Sequence, residues 1–178
     1  MANNDTDTSW KTTVIVSTSL QNNEITGLLL AQEHLLRYSD SIEPGTLVFP
    51  LSGVAFMLIT TEEFPETGCE EFFNKIEKFI QVHRNSFLLL QAPAYGAREL
   101  KIVSELQNRF FGSNLKILPV HSNGETVKGV VTIAKATSKP HMDRLQERMH
   151  SARADIIKRS HETFLKNLDI FKGSPLSG

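Results

Sequence analysis

Cysteine is almost missing from this sequence: Cys69 stands alone among 178 residues, so no internal disulfide can form. Secreted domains of this size ordinarily carry several, so the expected setting is a reducing compartment, cytosol or nucleus. Long apolar runs are missing too. None approaches the ~20 residues that span a bilayer, and Met1 to Ser9 has neither the basic flank nor the apolar segment of a secretory signal, so no membrane anchor is expected. A dominant charge is also lacking, with a formal net charge of -1, 40% hydrophobic and 22% charged residues, which describes a soluble globular chain rather than a disordered one. The length suits one domain, or one domain with a small appendage.

The usual signatures of chemistry are absent as well. The six histidines never stand four apart, the spacing that turns two imidazoles of one helix toward zinc. Gly124 to Gly129 has two glycines but no Lys-Ser/Thr pair after the second to reach phosphate and magnesium. Leu51-Ser52-Gly53 is not the Gly-x-Ser-x-Gly turn of a serine hydrolase. Cys69 precedes a helix, but Glu70 and Glu71 beside it oppose thiolate formation and favour an inert, partly buried thiol. The carboxylates Glu62, Glu63, Glu66, Glu70 and Glu71 cluster in one connection and at a helix start, where the helix dipole accounts for most of them. No cofactor, metal ion or small-molecule substrate is expected.

What is present is an alternation of strand and helix signals. Thr12 to Ser17 is a β-branched run with little alternation, read as a first, central strand buried on both faces. Asn22 or Asn23 caps a helix through Ile25, Leu28 and Leu29, after which His34 to Ser39 is extended. Pro44-Gly45 turns the chain into Thr46 to Phe49 and Val54 to Thr60, whose short connection predicts a hairpin. Helical periods follow from Glu70 to Arg84 and from Arg98 to Phe111, the second including Phe110 and Phe111 and stopped by Gly112. Strands are expected at Ser86 to Leu90 and Leu115 to Val120, and a helix from Asn123 to about Thr137. The fold class is therefore α/β, a mostly parallel sheet of about six strands flanked by helices.

Ser138-Lys139-Pro140 is the expected boundary. From Lys139 onward 8 Lys/Arg face 5 Asp/Glu, against 11 and 15 before it, leaving the tail +3 and the body -4. Met142, Leu145, Met149, Ala152 and Ile156 form one helical stripe, and Phe164, Leu165, Leu168 and Phe171 a second face after Ser160, which together predict a helical hairpin. Lys139, Arg144, Arg148, Arg153, Lys158, Arg159 and Lys166 lie between the apolar positions. They are either a solvated face or contacts to a nucleic-acid backbone. Residues 1–10 and 174–178 are expected to be disordered.

The strings WKTTVIVS (Trp10 to Ser17), RYSDS (Arg37 to Ser41), LSGVAF (Leu51 to Phe56), KIEKFI (Lys75 to Ile80), NLKILPVH (Asn114 to His121) and TIAKATSKP (Thr132 to Pro140) carry a resemblance that covers most of the chain. They resemble the small, non-catalytic subunits of the XPF-type structure-specific nuclease family. That resemblance implies an inactive nuclease-like domain over residues 11–139 and a degenerate helix-hairpin-helix tail over 140–173. Active members hold metal through a Gly-Asp pair and a Glu-Arg-Lys-x-x-x-Asp motif on neighbouring strands; here the first falls near Gly45-Thr46 and the second on apolar residues around Phe56 to Ile59. The tail also lacks the Gly-x-Gly hairpins of that family, having no glycine between Lys139 and Lys172.

What the resemblance implies further is an obligate heterodimer with a larger XPF-like meiotic protein. Such a complex would bind branched DNA and promote crossover formation and chromosome synapsis on meiotic chromosomes in the nucleus. On this reading Lys139, Arg144, Arg148, Arg153, Lys158 and Arg159 contact DNA. Met142, Leu145, Met149, Ile156, Phe164, Leu165, Leu168 and Phe171 would meet the partner. The alternative from architecture alone is a self-sufficient α/β ligand-binding domain or small enzyme that uses the carboxyl edge of its sheet.

Overall fold

The computed structural model describes residues 9–172, with the backbone alone for His141 and residues 170–172. The expected disordered ends therefore lie, apart from Ser9 and Trp10, outside the described residues. Six strands form one sheet: β1 (Thr13–Ser17), β2 (Leu35–Ser39), β3 (Thr46–Phe49), β4 (Val54–Thr60), β5 (Ser86–Gln91) and β6 (Leu115–Val120). The helices are α1 (Glu24–Ala31), α2 (Glu70–Val82), α3 (Ala97–Arg109), α4 (Asn123–Thr137) and α5 (Lys139–Lys172). The chain divides into two compact units between Ser138 and Lys139.

Strand order is β2-β1-β3-β4-β5-β6, and only β3 runs antiparallel to its neighbours. Four residues, Pro50 to Gly53, join β3 to β4, too few for a crossover, so the pair closes as a hairpin with Phe49 opposite Val54. Gly53 takes φ +63 in that turn, and the buried Ser52 hydroxyl donates to the Ala134 carbonyl at 2.6 Å, tying the hairpin to α4. The expectation that β1 is central needs correction. It is interior, paired with β2 and β3, but one strand from the edge.

The centre belongs to β3 and β4, and from Val54 to Ile59 every residue of β4 is buried. Phe56 and Leu58 face the layer of α1 and α4, with Leu29, Val127 and Val130. Ala55, Met57 and Ile59 face α2 and α3, with Phe79, Ile102 and Leu106. Covering both faces explains why β4 reads as a continuous apolar run instead of an alternating one.

At the start of β1, the buried His34 ring accepts the Thr12 amide at Nδ1 (3.3 Å), and burial holds its pKa below the ordinary histidine range. The ring is therefore neutral where it anchors the chain.

The second unit departs from expectation. Residues 139–172 form one helix of 34 residues, roughly 50 Å long at ~1.5 Å per residue, not a hairpin. No glycine or proline lies between Pro140 and Gly173, and serine at position 160 costs a helix only a fraction of a kcal/mol. What suggested a break is a change of face: at ~100° per residue, the Phe164 to Phe171 stripe is rotated by roughly 100° from the Met142 to Ile156 stripe. Spin labels placed by Leu145→Cys and Leu165→Cys, with Cys69→Ser, should give a distance near ~30 Å by double electron-electron resonance. A distance shorter than about 20 Å, as packing of two helices broken near Ser160 would give, would restore the hairpin.

Candidate functional site

Connections after β1, β4, β5 and β6, and the β2–β3 link, gather at the carboxyl edge of the parallel strands. In folds of this kind ligands sit at that edge, where neighbouring connections diverge to opposite faces of the sheet. Here α1 lies on one face and α2 on the other. Two grooves of about 280 and 300 Å³ lie there and share Asn23, Thr60 and Gln91. Asn23 caps α1 by accepting the Ile25 amide at 3.0 Å. The Gln91 amide donates to Asn123 (3.0 Å), which in turn donates to Glu24 (2.8 Å), linking the ends of β5 and the starts of α4 and α1. Sequence reasoning did not identify this network, because its members are ordinary caps and strand ends brought together only by topology.

The residues that the resemblance matches to the metal motifs are also brought together. Thr46 stands opposite Met57 in the β3–β4 register, and the Leu58 amide donates to the Gly45 carbonyl at 2.8 Å. Gly45 has φ +79, its amide donates to Ser19 Oγ at 2.8 Å, and a Cβ there would lie 2.8 Å from the Leu58 carbonyl oxygen. Only glycine satisfies that combination of left-handed backbone and close approach. Around it, Phe56, Met57 and Ile59 are fully buried, Leu58 nearly so, and the buried Thr46 hydroxyl has no hydrogen-bond partner.

A divalent ion needs several oxygen ligands, carboxylates above all. One hydroxyl among apolar side chains does not fit that need, and among the described residues no group of three or more His, Cys, Asp or Glu could hold a metal. The remaining carboxylates have other places. Glu62 and Glu63 open a single 3-10 turn (Thr61–Glu63), and Glu70 and Glu71 begin α2. Cys69 is half-buried and donates to the Pro65 carbonyl at 3.4 Å.

The same edge is acidic. Its connections carry Asp40, Glu43, Glu62, Glu63 and Glu66 and no lysine or arginine. The first turns of the adjoining helices add Glu24, Glu70, Glu71, Glu99 and Glu125 against Arg98, and Lys75 borders one of the grooves, leaving the edge net acidic. Glu125 accepts the His121 amide at 2.8 Å, which holds its carboxyl below the ordinary range and keeps it charged. A polyphosphate backbone laid along this edge meets repulsion.

On α5 the candidate residues separate by face. At ~100° per residue, Arg144, Arg148, Lys158, Arg159 and Lys166 share one side of the helix, interspersed with Asp155, Glu162 and Asp169. Lys139 and Arg153 fall elsewhere, so the structure does not unite all six basic candidates. Met142, Leu145, Met149 and Ile156 line one exposed stripe, at 40–71% exposure, and Phe164, Leu165 and Leu168 the other. Ile157, exposed and on the same side as Phe164 and Leu168, was missed because the second face was read only from Ser160 onward. The Phe171 side chain lies outside the described residues.

This architecture is that of an XPF nuclease domain. XPF from Aeropyrum pernix superposes with a TM-score of 0.59 at 9% identity, over 80% of this chain and 73% of that one. The same protein in complex with DNA gives 0.59 at 12% identity, over 72% and 66%. Those identities speak for the fold alone.

Sequence narrows the class. The family model described as Protein SPO16 homolog matches residues 8–166, and the human Protein SPO16 homolog is 48% identical over 151 residues, 85% of this chain and 84% of that protein. The chain belongs to that family, and the match runs through most of α5. Among the described residues no helix is long and apolar enough to cross a membrane.

Restoring an acid at the first metal position tests how closed this site is. Thr46→Asp places a carboxyl in a fully buried position, and the variant should lose roughly 3–5 kcal/mol at neutral pH. Burial raises the pKa of the introduced carboxyl above its unfolded ~3.9, so the native state binds the extra proton and the deficit shrinks below about pH 4 and grows above it. Urea unfolding across pH measures this. Unchanged stability, or rescue by magnesium, would mean that the pocket still accommodates a ligand set.

Proposed function

We propose that this chain is the non-catalytic subunit of a heterodimer with a larger XPF-like protein of meiosis. In this reading the complex binds branched recombination intermediates on meiotic chromosomes in the nucleus and promotes crossover formation and synapsis. The observation that carries it is a fold similar to XPF in which the residues that the resemblance matches to the metal motifs, Thr46 and Phe56 to Ile59, are buried among apolar side chains, with Gly45 held against Leu58. A nuclease fold without ligands retains two uses, shaping a partner and contributing surface to DNA.

The tail supports the first use. Two exposed apolar stripes on one helix represent surface that soluble monomers rarely leave uncovered. A partner that covers both must contact the helix over more than one side. The acidic carboxyl edge supports a DNA path elsewhere, and the shared side of Arg144, Arg148, Lys158 and Arg159 is the basic surface assigned to it. Such contacts supply affinity for phosphate, not sequence reading.

The combined substitution Arg144→Glu, Arg148→Glu and Lys158→Glu in the purified heterodimer should weaken binding to a four-way junction by at least ~10-fold at moderate salt. It should also flatten the salt dependence by about one unit of slope per lost phosphate contact. Fluorescence anisotropy across a salt series reads both. Unchanged affinity and slope would return these residues to a solvated face.

A further inference from the structure

The opposite edge of the sheet has a different character from the acidic one. The links α1–β2, β3–β4, α2–β5 and α3–β6 all lie at the amino edge; Leu51 and Phe111 stand in them and Leu30, Leu35 and Val82 at the adjoining element ends, all five exposed. These are five of the seven exposed large hydrophobic residues of the α/β unit, the others being Tyr38 and Leu100. Strand starts fix their alignment. Ala55 is level with Ser86 and Ser86 with Leu115, and the Asn85 side chain donates to the Gly53 carbonyl at 3.1 Å. Six strands at ~4.8 Å spacing set this apolar row along an edge roughly 24 Å wide.

Phe111 dominates the row at 93% exposure, although its sequence spacing suggested a place on the apolar face of α3. The helix stops at Arg109, Gly112 takes φ +78, and the Ser113 amide donates back to the Phe110 carbonyl at 3.0 Å, which turns Phe111 outward on a fixed loop. Phe111 itself borders a groove of about 460 Å³ whose lining mixes Phe110, Leu115 and Ile117 with Gln107, Asn108 and Ser113. An exposed aromatic bordering a groove of mixed lining has the form of an interface anchor, since aromatic side chains carry much of the binding energy of protein interfaces.

Charge indicates what fits. Glu33 is the only carboxylate in these links and is ion-paired with Lys11. Arg84 in the α2–β5 link, Lys116 on β6 and Lys135 in the last turn of α4 are exposed cations.

We propose that this amino edge, anchored at Phe111 and its groove, is where the α/β unit docks a protein partner that presents an apolar side chain with carboxylates around it. The proposal rests on the heterodimer reading and adds the surface that mediates it.

The test uses the full chain with its purified XPF-like partner and compares unmodified chain, Phe111→Asp, Phe111→Ala and Arg84→Glu/Lys116→Glu. The residues replaced are exposed, so thermal melting of the chain should be unchanged. The expected result is a Kd raised at least tenfold by Phe111→Asp, about threefold or more by Phe111→Ala, and raised by the charge reversal most strongly at low salt. A complex of unchanged Kd in all three variants overturns this proposal alone. Absence of any complex with the unmodified chain overturns the heterodimer reading and this proposal with it. A chain that sediments alone as a dimer, and as a monomer after Phe111→Asp, shows that the edge serves a second copy and also overturns it.

Discussion

Strand β4 is buried on both faces from Val54 to Ile59, and at the open end of its pairing with β3 stands Gly45, too tightly placed against Leu58 to carry a side chain. A strand in that position cannot hold ionised ligands without large desolvation, so the residues that shape the core are the ones that exclude a metal ion. The remaining carboxylates lie at helix starts and in surface connections of the same edge, where they are solvated or dipole-stabilised. The buried residues that the resemblance matches to the metal motifs and the acidic edge thus lie in one region of the fold, the open end of the central hairpin.

The molecule divides its surface accordingly. One sheet edge is acidic and polar, and the other is apolar with exposed cations. The tail helix carries two apolar stripes and a mixed but predominantly basic side. The carboxyl-edge grooves, at about 280 and 300 Å³, are at the small end of the range that drug-sized ligands occupy.

Much of the fold was legible because its boundaries are set locally. Gly112 ends α3, Asn123 opens α4, and the four-residue Pro50 to Gly53 link dictates a hairpin. Sheet order was not legible, since whether β1 is central depends on which strands pair across the whole domain. Phe111 was misplaced by one residue of helical period, because a left-handed glycine reverses the direction of the chain at that point. The tail was misread for a related reason: a rotation of the apolar face and a chain break leave the same gap in a hydrophobic pattern, and only the absence of glycine and proline distinguishes them. The positions matching the metal motifs were located by resemblance, whereas the close approach of Gly45 to Leu58 required coordinates.

The central claim is that the end of the β3–β4 hairpin has no place for a divalent ion. Titrating manganese into the isotopically labelled chain and following amide resonances tests it directly, because the paramagnetic ion broadens amides near its binding site. Amides of Gly45, Thr46, Leu58 and Thr60 should broaden no more than surface amides elsewhere. Selective broadening at those four, reversed by excess magnesium, would contradict the account.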